Sequence, residues 1–91
     1  MEQYNEIIST LQKIKEQLDP ETIQELTSCS YYKLYNYHFG LGLWIRNTLL
    51  KPDSSLFKLF RKLGVFQKDD MSTLLIEWLF LYLKNEQITK I

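Results

Sequence analysis

Ninety-one residues, 45% apolar and 14% aromatic, with eleven basic and eleven acidic side chains summing to zero, describe one small packed domain. This balance excludes a disordered chain and argues against general attraction to nucleic acid or anionic membranes. The only cysteine, Cys29, excludes an internal disulfide framework, and the longest apolar run, Leu74 to Leu83, is interrupted by Glu77 and reaches about half the ~20 residues of a membrane span.

The N-terminus, Met1-Glu2-Gln3-Tyr4-Asn5-Glu6, lacks the basic and apolar regions of a signal peptide, so the cytoplasm is the expected location. Tyr4, Ile7, Ile8, Leu11, Ile14 and Leu18 recur at the spacing of one helix face, which predicts an amphipathic helix over residues 3–18. Asp19-Pro20-Glu21 is a restart signal. Asp19 suits the N-cap, Pro20 the first helical position and Glu21 the positive end of the helix dipole, giving a second helix over 20–28. Ser28 or Ser30 is available to cap the next.

A third helix is expected over residues 31–49, with Tyr31, Leu34, Tyr35, His38, Leu41, Trp44, Ile45 and Thr48 on its inner stripe. Gly40 and Gly42 weaken it by about 1 kcal/mol each, and they allow a kink or the close approach of another element. Lys51-Pro52-Asp53 breaks the chain. Asp53 or Ser54 then caps a helix over 54–63 whose inner side carries Leu56, Phe57, Phe60 and Leu63, and Gly64 fits a left-handed stop. Asp69 or Asp70 caps a last helix over 70–84. Its Met71, Leu74, Leu75, Trp78, Leu79 and Tyr82 share one face, and Ile76, Phe80 and Leu83 lie on others. A helix so widely apolar belongs at the centre of a bundle or in an oligomer interface. Residues 85–91 read as a frayed tail. The architecture is a compact, irregular all-α bundle of about five helices, spanning 1–91 as a single domain: acidic helices over 1–30 and a core over 31–84.

The stretch His38-Phe39-Gly40-Leu41-Gly42-Leu43-Trp44-Ile45-Arg46-Asn47, followed later by Asp69-Asp70-Met71-Ser72, resembles the signature of a small, functionally uncharacterised family of bacterial helical domains. That signature is a His-x-Gly-Leu-Gly-x-x-Ile-Arg-Asn helix with a downstream Asp-Asp-x-Ser helix start. The resemblance covers about residues 31–83. The chain departs from it at Thr48-Leu49-Leu50-Lys51-Pro52, where the family tends to have a Gly- and Trp-containing loop, and at Gln67-Lys68, in place of His-Pro. The resemblance implies a helical fold and carries no activity.

His38, Gly42 and Arg46 are four apart and form one stripe on a helix. Arg46 offers a planar fork of donors suited to a carboxylate or a phosphate. With Asn47 it can either tie the third helix to Asp69 and Asp70 or line a binding site with them and His38. No second histidine, cysteine cluster or carboxylate pair at ligand spacing accompanies His38, so no metal or other cofactor is expected, and no catalytic set is assigned. An enzyme built on His38, Arg46 and Asp70 would require these three to converge in one open pocket. Cys29 has no activating base beside it in sequence.

Charge is segregated along the chain. Residues 1–30 hold six acids against Lys13 and Lys15, and residues 31–68 hold seven bases against Asp53. The two halves either neutralise each other by packing or present a dipolar surface. The function expected first is a non-catalytic protein-binding module: a stoichiometric partner or inhibitor of the immunity, antitoxin or phage anti-defence type. Its mark would be an exposed patch of Tyr32, Tyr37 and Phe39. The alternative is a nucleic-acid or phosphate-ligand binder using Arg46 with Lys51, Lys58, Arg61, Lys62 and Lys68. A homodimer through the final helix is the remaining arrangement.

Overall fold

Every break in the apolar rhythm becomes a helix junction. The computed structural model describes residues 2–89, with side chains over 5–86. The side chain of Tyr4 and the tail residues 90 and 91 lie outside the described residues. Helix α1 spans Glu2–Gln17 and α2 spans Pro20–Ser28. A 3-10 helix follows over Tyr31–Tyr37, then α3 over Leu41–Thr48, α4 over Ser55–Lys62 and α5 over Lys68–Thr89. No strand occurs among the described residues, and the fold is an all-α bundle.

Local chemistry accounts for the junctions. The Asp19 carboxylate accepts the Thr22 backbone N–H at 2.7 Å and caps α2, and Pro20 takes its first position. Ser54, rather than Asp53, caps α4 by accepting the Phe57 N–H at 3.1 Å. At the other end of α4, Gly64 turns to φ 88°, the left-handed value that a side chain disfavours. The Val65 N–H then reaches the Phe60 carbonyl at 2.9 Å and the Gly64 N–H reaches Arg61 at 3.1 Å, the paired bonds of a Schellman stop. Because the chain turns there, Leu63 is exposed and Leu59 is buried, so Leu63 does not join the inner edge expected of it.

The expected third helix divides in two. Residues 31–37 wind at three per turn, and the chain turns through His38, Phe39 and Gly40 before α3 begins. The shorter period changes which side chains face inward. Tyr31, Leu34 and Tyr37 fall in one row: Leu34 is buried, Tyr37 is half-buried, and Tyr31 lies edge-on to Phe80 at 6.4 Å. Tyr32 and Tyr35 point outward, 77% and 68% exposed. Tyr35 therefore leaves the inner stripe, and Tyr37 leaves the expected surface patch.

The last helix is longer at both ends than the expected 70–84. It begins at Lys68, where the Met71 N–H reaches the Gln67 carbonyl at 3.0 Å, so Asp69 and Asp70 lie in the first turn instead of capping it. It continues through residues 85–89, where a tail was expected, and Glu86 pairs with Lys15 of α1 at 2.8 Å.

α5 has no single apolar face, and the bundle is built around it: α1, α2, α3 and the 3-10 helix all pack on it, and Phe60 of α4 stacks on its Trp78 at 5.7 Å. Met71, Leu75 and Leu79 are completely buried against Ile14, Leu26, Ile45 and Leu50 from the surrounding segments. Each such aliphatic side chain contributes about 1.5–3 kcal/mol relative to exposure. Leu81 is the only large apolar side chain of α5 that is exposed among the described residues. No helix among the described residues is long and apolar enough to cross a membrane.

The Asp19 cap has a pH signature. Hydrogen bonding to Thr22 lowers its pKa below the ordinary 3.8, so its stabilisation is present above that value and is lost as pH falls through the lower folded value. Melting of the wild type and of Asp19→Ala across this range should show a gap that closes on acidification; a gap of constant size would show that the carboxylate is not the cap.

Candidate functional site

Two polar and aromatic constellations stand on α5, one at its start and one along its middle. The first centres on Arg46, in the last turn of α3. Its side chain is 13% exposed. Nη1 donates to the Ser72 hydroxyl at 2.9 Å, Nη2 reaches the His38 carbonyl at 3.5 Å, and Nε lies 3.4 Å from Asp69 Oδ1. Ser72 is completely buried and its hydroxyl donates to the Asp69 carbonyl at 3.0 Å. One guanidinium thus joins α3, the turn before it and the first turn of α5.

Gly42 makes room for this. A Cβ at position 42 would sit 3.1 Å from Arg46 Nη1 and 3.6 Å from the Tyr37 carbonyl. The bare backbone lets the guanidinium fold back along α3 towards the His38 carbonyl, which lies before the start of the helix.

The contacts are unequal. Asp69 is 73% exposed, and an exposed ion pair stabilises by about 0–1 kcal/mol. A hydrogen bond from a charged donor into a buried site contributes about 1.5–3 kcal/mol. The Ser72 bond therefore dominates, and the 3.5 Å contact to His38 lies at the limit of a useful bond. Of the other residues considered with Arg46, Asn47 and Asp70 are exposed and take no part in the tie.

The second constellation is aromatic. Tyr31, Tyr32 and Tyr35 line a cleft of about 190 Å³ with His38, over a floor that includes Leu34 and Ile76, against Thr73 and Glu77 of α5. The Tyr31 hydroxyl donates to Glu77 Oε1 at 2.6 Å, and this bond to a carboxylate holds the Tyr31 phenol above its ordinary pKa. Tyr35 stacks on His38 with centroids 6.0 Å apart, and Phe39 meets His38 edge-on at 5.2 Å. Phe39 is 69% exposed, so the patch continues beyond the cleft. Burial, with the Glu25 carboxylate second, raises the pKa of Tyr37, which packs on the core away from this surface.

His38 lines the cleft and Arg46 and Asp70 do not, so this cleft does not gather the three residues. Among the described residues no group of three or more His, Cys, Asp or Glu is placed to hold a metal ion. Cys29 is half-buried and donates to the Leu26 carbonyl at 3.3 Å. Lys51, Lys58, Arg61 and Lys62 are exposed, Lys68 is half-buried, and Arg61 lies over the Phe66 ring at 5.5 Å. The acidic and basic halves do not neutralise each other directly: the two ion pairs among the described residues are Lys15–Glu86 and Arg46–Asp69.

Sequence reasoning missed Tyr31, Tyr35 and Glu77 as a group. The available signal was the three-residue spacing of Tyr31, Leu34 and Tyr37, which marks a 3-10 row once the α period is abandoned.

The inequality within the tie predicts an order of mutational effects. Arg46→Ala should cost about 1–3 kcal/mol in urea unfolding and Asp69→Asn no more than about 1 kcal/mol. Gly42→Ala should destabilise the wild type, yet be neutral or stabilising in an Arg46→Ala background, where only the helix-propensity gain of up to about 1 kcal/mol remains. Equal effects of Gly42→Ala in both backgrounds would detach the glycine from the tie.

No curated protein and no solved structure matches the chain. A family model does, over residues 5–83, which takes in α1 as well as the segment that carries the resemblance in sequence. The chain belongs to the family described as domain of unknown function DUF6794.

Proposed function

We propose that the protein is a non-catalytic protein-binding module whose contact surface is the aromatic patch formed by Tyr31, Tyr32, Tyr35 and Phe39. The observation that carries this reading is their joint exposure, from 58% to 77%, on one short segment. Exposed large apolar groups gathered together mark interaction sites more often than scattered ones do. Tyrosine is enriched among the residues that dominate binding energy, since it buries much area and freezes few torsions. The Tyr31–Glu77 bond and the ring contacts among Tyr35, His38 and Phe39 hold the patch in place before a partner arrives. That lowers the ordering cost of association.

A module of this kind acts by occupying a partner stoichiometrically, as an immunity protein, an antitoxin or an anti-defence inhibitor does. The phosphate-binding alternative has less support. Its central residue, Arg46, spends its donors on Ser72, Asp69 and His38. It would rest on Lys51, Lys58, Lys62 and Lys68 with Arg61.

Affinity capture with the wild type and with Tyr32→Ala/Phe39→Ala tests the proposal. A stoichiometric partner should be retained by the wild type and weakened at least about tenfold by the double variant, with helical content unchanged. Undiminished capture by the variant would remove the patch from the interface, and binding to oligonucleotides that collapses with added salt would favour the phosphate reading instead.

A further inference from the structure

The cleft beside α5 joins an aromatic wall to a carboxylate, Glu77, for which the described residues supply no ion-pair partner. Glu77 belongs to neither ion pair among the described residues. Its only hydrogen bond among the described side chains comes from the Tyr31 hydroxyl, at Oε1, so Oε2 remains as an acceptor. The nearest cation in sequence on the same helix, Lys84, lies over the Phe80 ring at 4.9 Å. Three tyrosines line the same cleft as Glu77, and their ring faces carry negative potential that attracts a cation.

We propose that this cleft receives one positively charged side chain, a lysine ammonium or an arginine guanidinium, presented by a protein partner. The inference rests on the protein-binding reading above and names the chemistry of the contact. The volume, about 190 Å³, is below the ~300–1,000 Å³ of sites for drug-sized ligands and suits a single side chain. The floor of Leu34 and Ile76 matches the methylene stem of a long basic residue, while the tyrosines and Glu77 match its charged head. A neutral apolar side chain would use the floor and leave the Glu77 carboxylate facing it without compensation.

Backbone amide NMR of the full chain, titrated with blocked single-residue probes, tests this. N-acetyl-lysine methylamide and N-acetyl-arginine methylamide should shift Tyr31, Tyr32, Tyr35 and Glu77, saturating at about 1–10 mM. N-acetyl-norleucine methylamide, with the same stem and no charge, should bind at least about tenfold more weakly. Glu77→Gln keeps an acceptor for Tyr31 and should lose about tenfold in affinity for the lysine probe, whereas Tyr31→Phe keeps the ring, frees Oε1 and should retain it. Equal binding of norleucine and lysine, an unchanged affinity in Glu77→Gln, or no response to either cationic probe would overturn the proposal. Choline binding more tightly than both would assign the cleft to a small free cation rather than to a partner's side chain. The two readings fail separately. Norleucine matching lysine leaves the aromatic interface standing, and partner capture that survives Tyr32→Ala/Phe39→Ala removes the interface without touching the cation result.

Discussion

Helix α5 carries apolar side chains around nearly its whole circumference, so in water it must be surrounded. That requirement organises the molecule. α1 and α2 cover one part, α3 and the 3-10 helix another, and Phe60 of α4 closes on Trp78. α2, α3 and α4 are too short to be stable alone, since isolated helices of fewer than about 12–15 residues are marginal in water. α2 and α3, at nine and eight residues, persist because their buried edges rest on α5, and α4, at eight, packs on α1 and meets α5 through Phe60.

Arg46 then sets the position of α3 against that element. Apolar packing is non-directional and tolerates sliding, whereas a planar guanidinium bonded to Ser72 has one geometry. The residues that carry the sequence resemblance meet here: Gly42 clears the path, Arg46 crosses it, and Asp69 and Ser72 receive it at the start of α5. Much of what looks chemically suggestive in that stretch is thus used to join helices. Ser72 illustrates the economy of the arrangement: it is fully buried, yet its hydroxyl accepts from Arg46 and donates to the Asp69 backbone carbonyl, leaving nothing unsatisfied.

The turn that Arg46 braces has a consequence for the surface. The segment before the turn at residues 38–40 does not continue α3 and winds as a 3-10 helix. Its row of three buries Leu34, and the same geometry pushes Tyr32 and Tyr35 outward beside Glu77. The aromatic surface is therefore a by-product of how the helix is broken, and the proposed binding role follows from that break rather than from any reactive group.

The sequence by itself determined the all-α class, the helix junctions at Asp19-Pro20, Pro52-Ser54 and Gly64, and the apolar breadth of the last helix. Each of these is a local property: a capping side chain, a left-handed glycine or a 3–4 spacing acts over a few residues, and no distant partner is needed to read it. Tertiary structure alone decided the period of residues 31–37, the pairing of Arg46 with Ser72, and the company of Glu77. A tyrosine-rich stretch is compatible with either helical period, and which one wins depends on where Leu34 must go to meet α5. Likewise, nothing in the spacing from Arg46 to Ser72, or from Tyr31 to Glu77, encodes proximity. Those contacts exist because two helices, each unremarkable alone, are brought against the same buried face.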